Sequence, residues 1–324
     1  MSLIRNINKQ RETTVYPIHY PINHLSPSSL KEWQLCPYKF YLKRMSEYKN
    51  KLRGKNKQGL SAAVGTSLDC FVKDYLSNDV FRDHSFDLNF NLSKNITYKG
   101  AAPLTQIIDD GKKLLEVYRE TGALQAALDD GLNQVELTTE GKIGKANVLS
   151  KLDAVTNQNI VFDWKVRGYA SSPKSPTAGW TRCWTKGKLL PKTHARYLDY
   201  FENINRDWAQ QLTIYSFSIG HVVGEELYIF LDEFSMRQNI NKPIIDADHV
   251  KITQIRSRVS GQFQKKVFAD LQLAWEQVTA GRFNKPEATK ERCFPYRQEC
   301  IAAKYCPSFQ GSFGNPKFRK IMRV

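Results

Sequence analysis

Three β-type segments follow one another between residues 135 and 166, and they narrow the folds open to this chain more than any other feature. Val135-Glu136-Leu137-Thr138-Thr139, residues 146–155 and residues 159–166 each read as a strand. Gly141 and Gly144 punctuate the first gap, and Thr156-Asn157-Gln158 reads as a tight hairpin turn in the second. Strands joined this closely pair antiparallel. On both sides the pattern changes to helical spacing. Residues 62–76 carry Val64, Leu68, Phe71, Val72 and Tyr75 on one side, and residues 107–118, 122–128 and 208–219 also read as helices. The apolar run at 227–231 suits a central strand, residues 250–255 form a further one, and 260–280 is a long amphipathic helix ended by Gly281. The expected class is α/β, a mixed central sheet flanked by helices.

The remaining sequence sets the ends and the charge. Residues 1–24 are polar, with Pro17 and Pro21, and read as an extended arm. Ser26-Pro27-Ser28-Ser29 supplies a cap and a first-turn proline for a helix over 28–35. Cys36-Pro37 breaks that helix, and a second short one follows over 38–45. Residues 83–102 are polar and mixed and receive no element. With 41% hydrophobic and 25% charged residues the chain has enough apolar surface for a sizeable core, which excludes global disorder. Lys and Arg number 48 against 32 Asp and Glu, a formal charge of +16, which favours a polyanionic partner. The opening MSLIRNINKQ has no signal-peptide apolar core, and no apolar run approaches the ~18 residues of a membrane span. A cytoplasmic, reducing location without a membrane is expected. The absence of GxxxxGK[ST] makes a P-loop ATPase an unsuitable reading.

Chemistry enters at Asp163-Trp164-Lys165. Alternate side chains of a strand share a face, so Asp163 and Lys165 project together while Trp164 packs on the other side. An antiparallel pairing of 146–155 with 159–166 brings Asp153 beside Asp163. Two facing carboxylates repel unless a cation lies between them. A hard divalent ion such as Mg²⁺ takes such oxygens, and an adjacent lysine can hold a phosphate oxygen or orient an attacking water. One helical turn relates Gln211 to Tyr215, so these two share a face of the 208–219 helix.

Taken in order, Asp153, Asp163-Trp164-Lys165 and Gln211-xxx-Tyr215 resemble the RecB-type branch of the PD-(D/E)XK nuclease superfamily. Ser26-Pro27-Ser28-Ser29-Leu30…Cys36-Pro37-Tyr38-Lys39-Phe40 resembles that branch's opening motif, and Val64-Gly65-Thr66-Ser67-Leu68-Asp69 its next one. The chain has Asp69 where the family usually has a histidine metal ligand. The resemblance spans about residues 25–306 and implies a restriction-endonuclease-like core with helical N- and C-terminal parts joined by a metal cluster. It implies Mg²⁺ or Mn²⁺ held by Asp69, Asp153, Asp163 and the backbone carbonyl of Trp164. Lys165 would be the catalytic lysine, with Gln211 and Tyr215 holding the catalytic core and the substrate backbone. Glu136 is a weaker candidate, more often structural. The implied organisation is an arm at 1–24, a single nuclease domain at 25–310 and a basic tail at 311–324. Within the domain, 25–130 is the helical N-terminal part, 131–255 the catalytic core and 256–310 the C-terminal helix with its cysteines.

Six cysteines are present, three of them as Cys293-x6-Cys300-x5-Cys306. Four thiolates can bind zinc or an iron–sulfur cluster. Iron–sulfur relatives of this branch, the AddB-type subunits and CRISPR-adaptation nucleases, place one cysteine before the nuclease core and three after it. Cys36 with Cys293, Cys300 and Cys306 fits that layout and implies a [4Fe-4S] cluster, with structural Zn²⁺ as the alternative. Cys70 and Cys183 read as ordinary residues.

No acid occurs between Asp163 and Asp199. The insert at 167–205 instead interleaves bases with aromatics, among them Arg167, Trp180, Arg182, Trp184, Lys186 and Lys188. Such a mixture suits a DNA strand, with phosphates bound electrostatically and bases stacked on rings. The expected activity is metal-dependent hydrolysis of DNA phosphodiesters. The resemblance favours an exonuclease acting on DNA ends or single strands in recombination, repair or replication, alongside a helicase or recombination partner. The competing class is a non-catalytic DNA-binding or recombination-accessory protein with a relic site; an RNA-processing factor is a third.

Overall fold

A computed structural model describes residues 14–52, 58–98, 100–167, 179–185, 188–189, 204–236, 250–284, 289, 293–294 and 299–313. Its helices in chain order are α1 (Pro27–Leu35), α2 (Pro37–Arg44), α3 (Lys49–Leu52), α4 (Leu60–Tyr75), α5 (Leu88–Asn95), α6 (Leu104–Glu120), α7 (Ala123–Asp129), α8 (Arg206–Ser218), α9 (Gly261–Thr279) and α10 (Pro307–Phe313). The strands are β1 (Leu132–Ile143), β2 (Ala146–Thr156), β3 (Val161–Arg167), β4 (Gly179–Thr185), β5 (Lys188–Leu189), β6 (Leu227–Met236) and β7 (Val250–Val259). They form one seven-stranded mixed sheet in the order β1-β2-β3-β6-β7-β4-β5. The expected α/β class with a mixed sheet and flanking helices is what the chain adopts. Among the described residues, no helix is long and apolar enough to cross a membrane.

The chain divides into two compact units. One comprises residues 1–55, 142–148 and 269–324; the other comprises 56–141 and 149–268. In the first, Ser26 caps α1 as anticipated, its hydroxyl accepting from the Ser29 amide at 3.2 Å while Ser29 Oγ accepts from the Ser26 amide at 2.6 Å. Glu32 on α1 pairs with Lys43 and Arg44 on α2, each at 2.8 Å, which binds the two short helices. Tyr16, Tyr38, Tyr41 and Phe283 add a ring cluster, with Tyr16 and Tyr41 centroids 5.0 Å apart.

The second unit holds most of the sheet. Parallel pairing of β3 with β6 sets Asp163 beside Leu231 and Trp164 beside Asp232. Antiparallel pairing of β2 with β3 aligns Ala154 with Phe162 and Val155 with Val161. One step further along that ladder, Asp153 faces Asp163. A core of Val64, Leu68 and Val72 from α4, Leu114 and Tyr118 from α6, Leu124 from α7, and Phe162, Trp164 and Phe234 from the sheet fills the space between helices and strands. Trp164 thus packs into the core, as alternation along the strand requires.

Two features of this packing are chemical rather than apolar. Arg256 on β7 is only 1% exposed, and its guanidinium donates to Asp232 and Asp130, both at 2.7 Å. Its carbon lies 5.0 and 4.8 Å from the ring centres of Phe162 and Phe230. The other oxygen of Asp232 accepts from the Tyr118 hydroxyl and from Gln254 Nε2, so a buried charge pair is hydrogen-bonded on both sides. Trp164 Nε1 donates to the same Tyr118 hydroxyl at 3.4 Å, which ties the network to the strand that carries Asp163.

The second feature is the close crossing of α4 and α6. The Ser67 hydroxyl donates to the Ile108 carbonyl at 3.3 Å, across Gly111. A Cβ on Gly111 would lie 2.2 Å from Ser67 Oγ and 2.8 Å from the Leu68 backbone nitrogen. Gly111→Ala should therefore lower stability by about 1–3 kcal/mol, because overpacking outweighs the gain of about 1 kcal/mol in helix propensity. The denaturant midpoint measures this; an unchanged or raised midpoint would show that the helices separate at no cost.

The expectations differ from the structure in several places. Residues 83–102, read as irregular, contain α5, and the 167–205 insert contains β4 and β5. β4 runs parallel to β7, with Trp180 aligned with Ile252 and Arg182 with Gln254. β1 extends beyond 135–139 in both directions.

Candidate active site

Four elements of the second unit contribute acids or bases to one place: α4, β1, β2 and β3. On α4, Asp69 and Lys73 stand one turn apart, and Lys73 Nζ lies 2.8 Å from Asp69 Oδ2. The same ammonium lies 2.6 Å from Glu136 Oε2 on β1 and 3.0 Å from Asp153 Oδ1 on β2. On β3, Lys165 Nζ lies 2.5 Å from Asp163 Oδ2. This second contact is an ion pair by distance alone, since neither oxygen of Asp163 receives a properly angled hydrogen bond. From α8, which packs against β3 and β6, Gln211 Nε2 donates to the Tyr215 hydroxyl at 2.8 Å.

Electrostatics distinguish the three aspartates. Burial raises Asp163, whose side chain is 1% exposed, well above the usual carboxylate range; Lys165 opposes the shift and Asp153 adds to it. Burial pushes Asp69 up to about 7 against the pull of Lys73, with Asp153 and Glu136 contributing. Asp153 moves the other way: burial would raise it, but Lys73, Asp163 and Lys165 hold it below the usual range. One of the facing pair, Asp163, thus favours its proton, and the other, Asp153, its charge. Burial also raises the Tyr215 hydroxyl, and the charges of Asp153 and Asp163 add to that.

The sequence-derived residues Asp69, Asp153, Asp163, Lys165, Gln211 and Tyr215 therefore come together, and Trp164 contributes its strand position while its ring serves the core. Sequence reasoning missed Lys73 and gave Glu136 only as a weaker candidate. Glu136 reaches the cluster from a backbone with φ +57°, in the left-handed region that non-glycine residues rarely occupy. The i,i+4 spacing of Asp69 and Lys73 was the available signal for the lysine.

Buried oxygens of Asp69 (Oδ1) and Asp163 (Oδ1 and Oδ2) have no hydrogen-bond partner. Such orphaned acceptors, in a set of oxygen donors facing one another, fit a hard divalent cation. Among the described residues, however, no three acidic, histidine or cysteine side chains are arranged as a ready metal site. In the acidic cluster Lys73 accounts for this, because its ammonium lies between the carboxylates a metal would use.

In the first unit, Cys36, Cys293, Cys300 and Cys306 are neighbours without forming a closed ligand set. Each lies within electrostatic reach of the others, and none is in a disulfide. Cys36 caps α2, its sulfur accepting from the Lys39 amide at 3.3 Å. The Cys300 amide donates to the Cys293 carbonyl at 2.8 Å, which turns the chain back beside itself. Phe294, Ala303, Phe309 and Phe313 pack against the three C-terminal cysteines. Burial raises Cys36 and Cys300 above the usual thiol range and Cys293 to about 11, and the neighbouring sulfurs add to each shift. Cys70 is buried in α4.

The basic-insert candidates are placed unevenly. Arg167 ends β3, where its Nε lies 3.2 Å from Glu233 and its guanidinium carbon 5.1 Å from the Trp208 ring centre. Trp180, Arg182 and Trp184 are in β4 and Lys188 in β5; Lys186 lies outside the described residues.

Neither a family model nor a curated protein matches the chain. Among solved structures, a "Putative exonuclease" from Eubacterium rectale is similar over 80% of this chain and 80% of its own, at 14% identity and a TM-score of 0.46. The structure of SSO0001 is similar over 87% of this chain and 93% of its own, at 12% identity and a TM-score of 0.28.

Proposed function

We propose that the chain is a metal-dependent DNA nuclease of the RecB-type PD-(D/E)XK class, acting as an exonuclease on DNA ends or single strands. The observation that supports this best is the close approach of Asp153 and Asp163, one residue beyond the Ala154–Phe162 pair of the β2–β3 ladder, with Lys165 on the second carboxylate. Asp69, Asp153 and Asp163 are the residues that would hold Mg²⁺ or Mn²⁺, together with the Trp164 carbonyl. A divalent ion there would polarise a phosphodiester and lower the pKa of a bound water. Lys165 supplies a positive charge next to those carboxylates, suited to a phosphate oxygen or to orienting the nucleophile. The Gln211–Tyr215 pair supplies amide and hydroxyl donors on the same side.

The test is incubation of purified protein with end-labelled single- and double-stranded DNA, with Mg²⁺, with Mn²⁺ and with chelator. Shortening of the label only in the presence of the ion is expected. DNA binding without cleavage in either ion would favour the accessory-protein reading instead.

The four neighbouring cysteines support a second part of the proposal, a metal centre in the first unit. Cys36, Cys293 and Cys300, raised by burial and by the neighbouring sulfurs, give up their protons most readily to a bound cation. The resemblance favours [4Fe-4S] over Zn²⁺, and iron with acid-labile sulfide separates the two.

The basic insert is proposed to grip the DNA strand. Neutralising Arg182, Lys186 and Lys188 together should flatten the dependence of log affinity on log salt by roughly 0.7 per lost phosphate contact on single strands. A salt slope equal to that of the unaltered protein would place these side chains away from the DNA.

A further inference from the structure

The acidic cluster holds a cation that belongs to the chain. Lys73 has three N–H donors, and each has a carboxylate of its own: Asp69 at 2.8 Å, Glu136 at 2.6 Å and Asp153 at 3.0 Å. Its side chain is 4% exposed, so these partners stand in for its water shell. The three carboxylates come from α4, β1 and β2, and the ammonium touches all three. Two of the three, Asp69 and Asp153, are also two of the residues proposed to hold a divalent ion. A divalent ion on those oxygens would lie within a few ångströms of Nζ, where like charges repel strongly in a site poor in water. Metal and ammonium therefore exclude each other at Asp69 and Asp153.

Glu136 has a different position. It makes the shortest of the three contacts, is not among the proposed ligands, and is held by a backbone conformation with φ +57° in the middle of a strand. Strained backbone of this kind persists where the surrounding structure enforces it, and here it directs a carboxylate at Lys73. The four acids Asp69, Glu136, Asp153 and Asp163 face two lysines, Lys73 and Lys165. With all four carboxylates ionised and both lysines in place the formal charge is −4 + 2 = −2, which one divalent ion would neutralise.

We propose that Lys73 is a built-in counter-ion of the site: it occupies the metal's carboxylates in the ion-free protein, is displaced from Asp69 and Asp153 when a divalent ion enters, and is then retained on Glu136. The proposal rests on the reading of Asp69, Asp153 and Asp163 as a divalent-ion site and extends it to a residue that sets how readily the ion enters. Lys73 in this role is a positioning residue. It keeps the acidic site assembled without metal and makes ion binding a competition, so that the site fills only above a threshold ion concentration.

Calorimetric titration of Mn²⁺ into four proteins tests this: the unaltered chain, Lys73→Met, Glu136→Gln and the double variant. Lys73→Met should bind Mn²⁺ roughly tenfold tighter or more, since a full charge in direct contact with the ligands is removed. Glu136→Gln should bind more weakly than the unaltered chain, because Lys73 loses its alternative seat. In the Lys73→Met background Glu136→Gln should change nothing, since additivity fails for residues that act through each other. Melting adds an independent readout. Lys73→Met should melt below the unaltered chain in chelator and recover with Mn²⁺, and Lys73→Gln should do the same with a smaller loss.

Equal Mn²⁺ affinity in Lys73→Met and the unaltered chain would overturn the competition while leaving the divalent-ion site standing. Weakening by Glu136→Gln in both backgrounds would make Glu136 a metal ligand and overturn its role as a seat. A Lys73→Met protein that stays unfolded even with Mn²⁺ would also overturn the proposal, because the ion is expected to replace the ammonium. Binding of Mn²⁺ by none of the four would remove the divalent-ion reading itself, and with it this one.

Discussion

Asp163→Ala and Lys165→Ala should each abolish divalent-ion-dependent cleavage of end-labelled DNA while leaving DNA binding nearly intact. For Lys165→Ala the expected loss in rate is about 10³, the scale observed when a single preorganised group facing developing charge is removed. Asp163→Ala should in addition lose divalent-ion binding by calorimetry, since this buried carboxylate lies beside Asp153 and is one of the proposed ligands. The fold should tolerate the change. Burial raises the Asp163 carboxyl well above its usual range, so the folded chain works against its charge rather than depending on it. A melting temperature equal to or above that of the unaltered protein is expected, as for other residues kept for chemistry rather than stability. Lys165→Ala should melt slightly lower, because it strips the one cation from a buried carboxylate. Cleavage at the full rate by either variant would dissociate this constellation from any hydrolysis the protein performs.

Those residues were legible in the sequence because strand alternation and hairpin pairing are local rules. The short turn at 156–158 forces β2 against β3, and from that alone Asp153 must meet Asp163 and Trp164 must face the core. What remained hidden depended on non-local pairing or on unusual backbone. β4 has no local strand signal in its polar insert; it exists because β7 offers a free edge to pair with. α5 has no buried residue, so it leaves no apolar period to read, and its local mark is the Asp87 side chain accepting from the Phe90 amide at 2.8 Å. The extent of β1 is obscured by its exposed polar positions, and the φ of Glu136 is not a property that residue type announces. Arg256 and Asp232 would be read as surface charges from sequence alone, yet both are buried, because each finds its partner across a strand pairing more than twenty residues away. Lys73 belongs between these cases. Its pairing with Asp69 follows from helical spacing, whereas its contacts with Glu136 and Asp153 depend on which strands the helix meets.

The cysteines carry the largest expected effect on stability. The first compact unit is assembled from both ends of the chain, with Cys36 from one end and Cys293, Cys300 and Cys306 from the other. A shared metal centre would close a loop of about 250 residues, and loop closure of that length removes roughly 5 kcal/mol of unfolded-state entropy. A typical domain is stable by only about 5–15 kcal/mol, so losing the centre is comparable with the stability of the unit it joins. Protein purified without oxygen is expected to be brown and to contain iron and acid-labile sulfide. Cys36→Ser, Cys293→Ser, Cys300→Ser and Cys306→Ser should each lose colour and melt well below the unaltered protein. Cys70→Ser and Cys183→Ser should keep the colour; Cys70 is only 1% exposed within the α4 core, so its serine variant can lose some packing but not the metal. Cys36→Ser has a second, smaller consequence. Its sulfur caps α2, and serine is the better cap, so the helix itself should not weaken and the drop in melting temperature reports the lost centre. Stoichiometric zinc without sulfide would keep the staple and replace the cluster. Colourless, metal-free protein whose four serine variants melt with the unaltered chain would leave Cys293, Cys300 and Cys306 as neighbours packed beside Phe294 and Phe309, with the two ends of the unit held by contacts such as the Tyr16–Phe283, Tyr41–Phe283 and Tyr48–Tyr305 ring pairs.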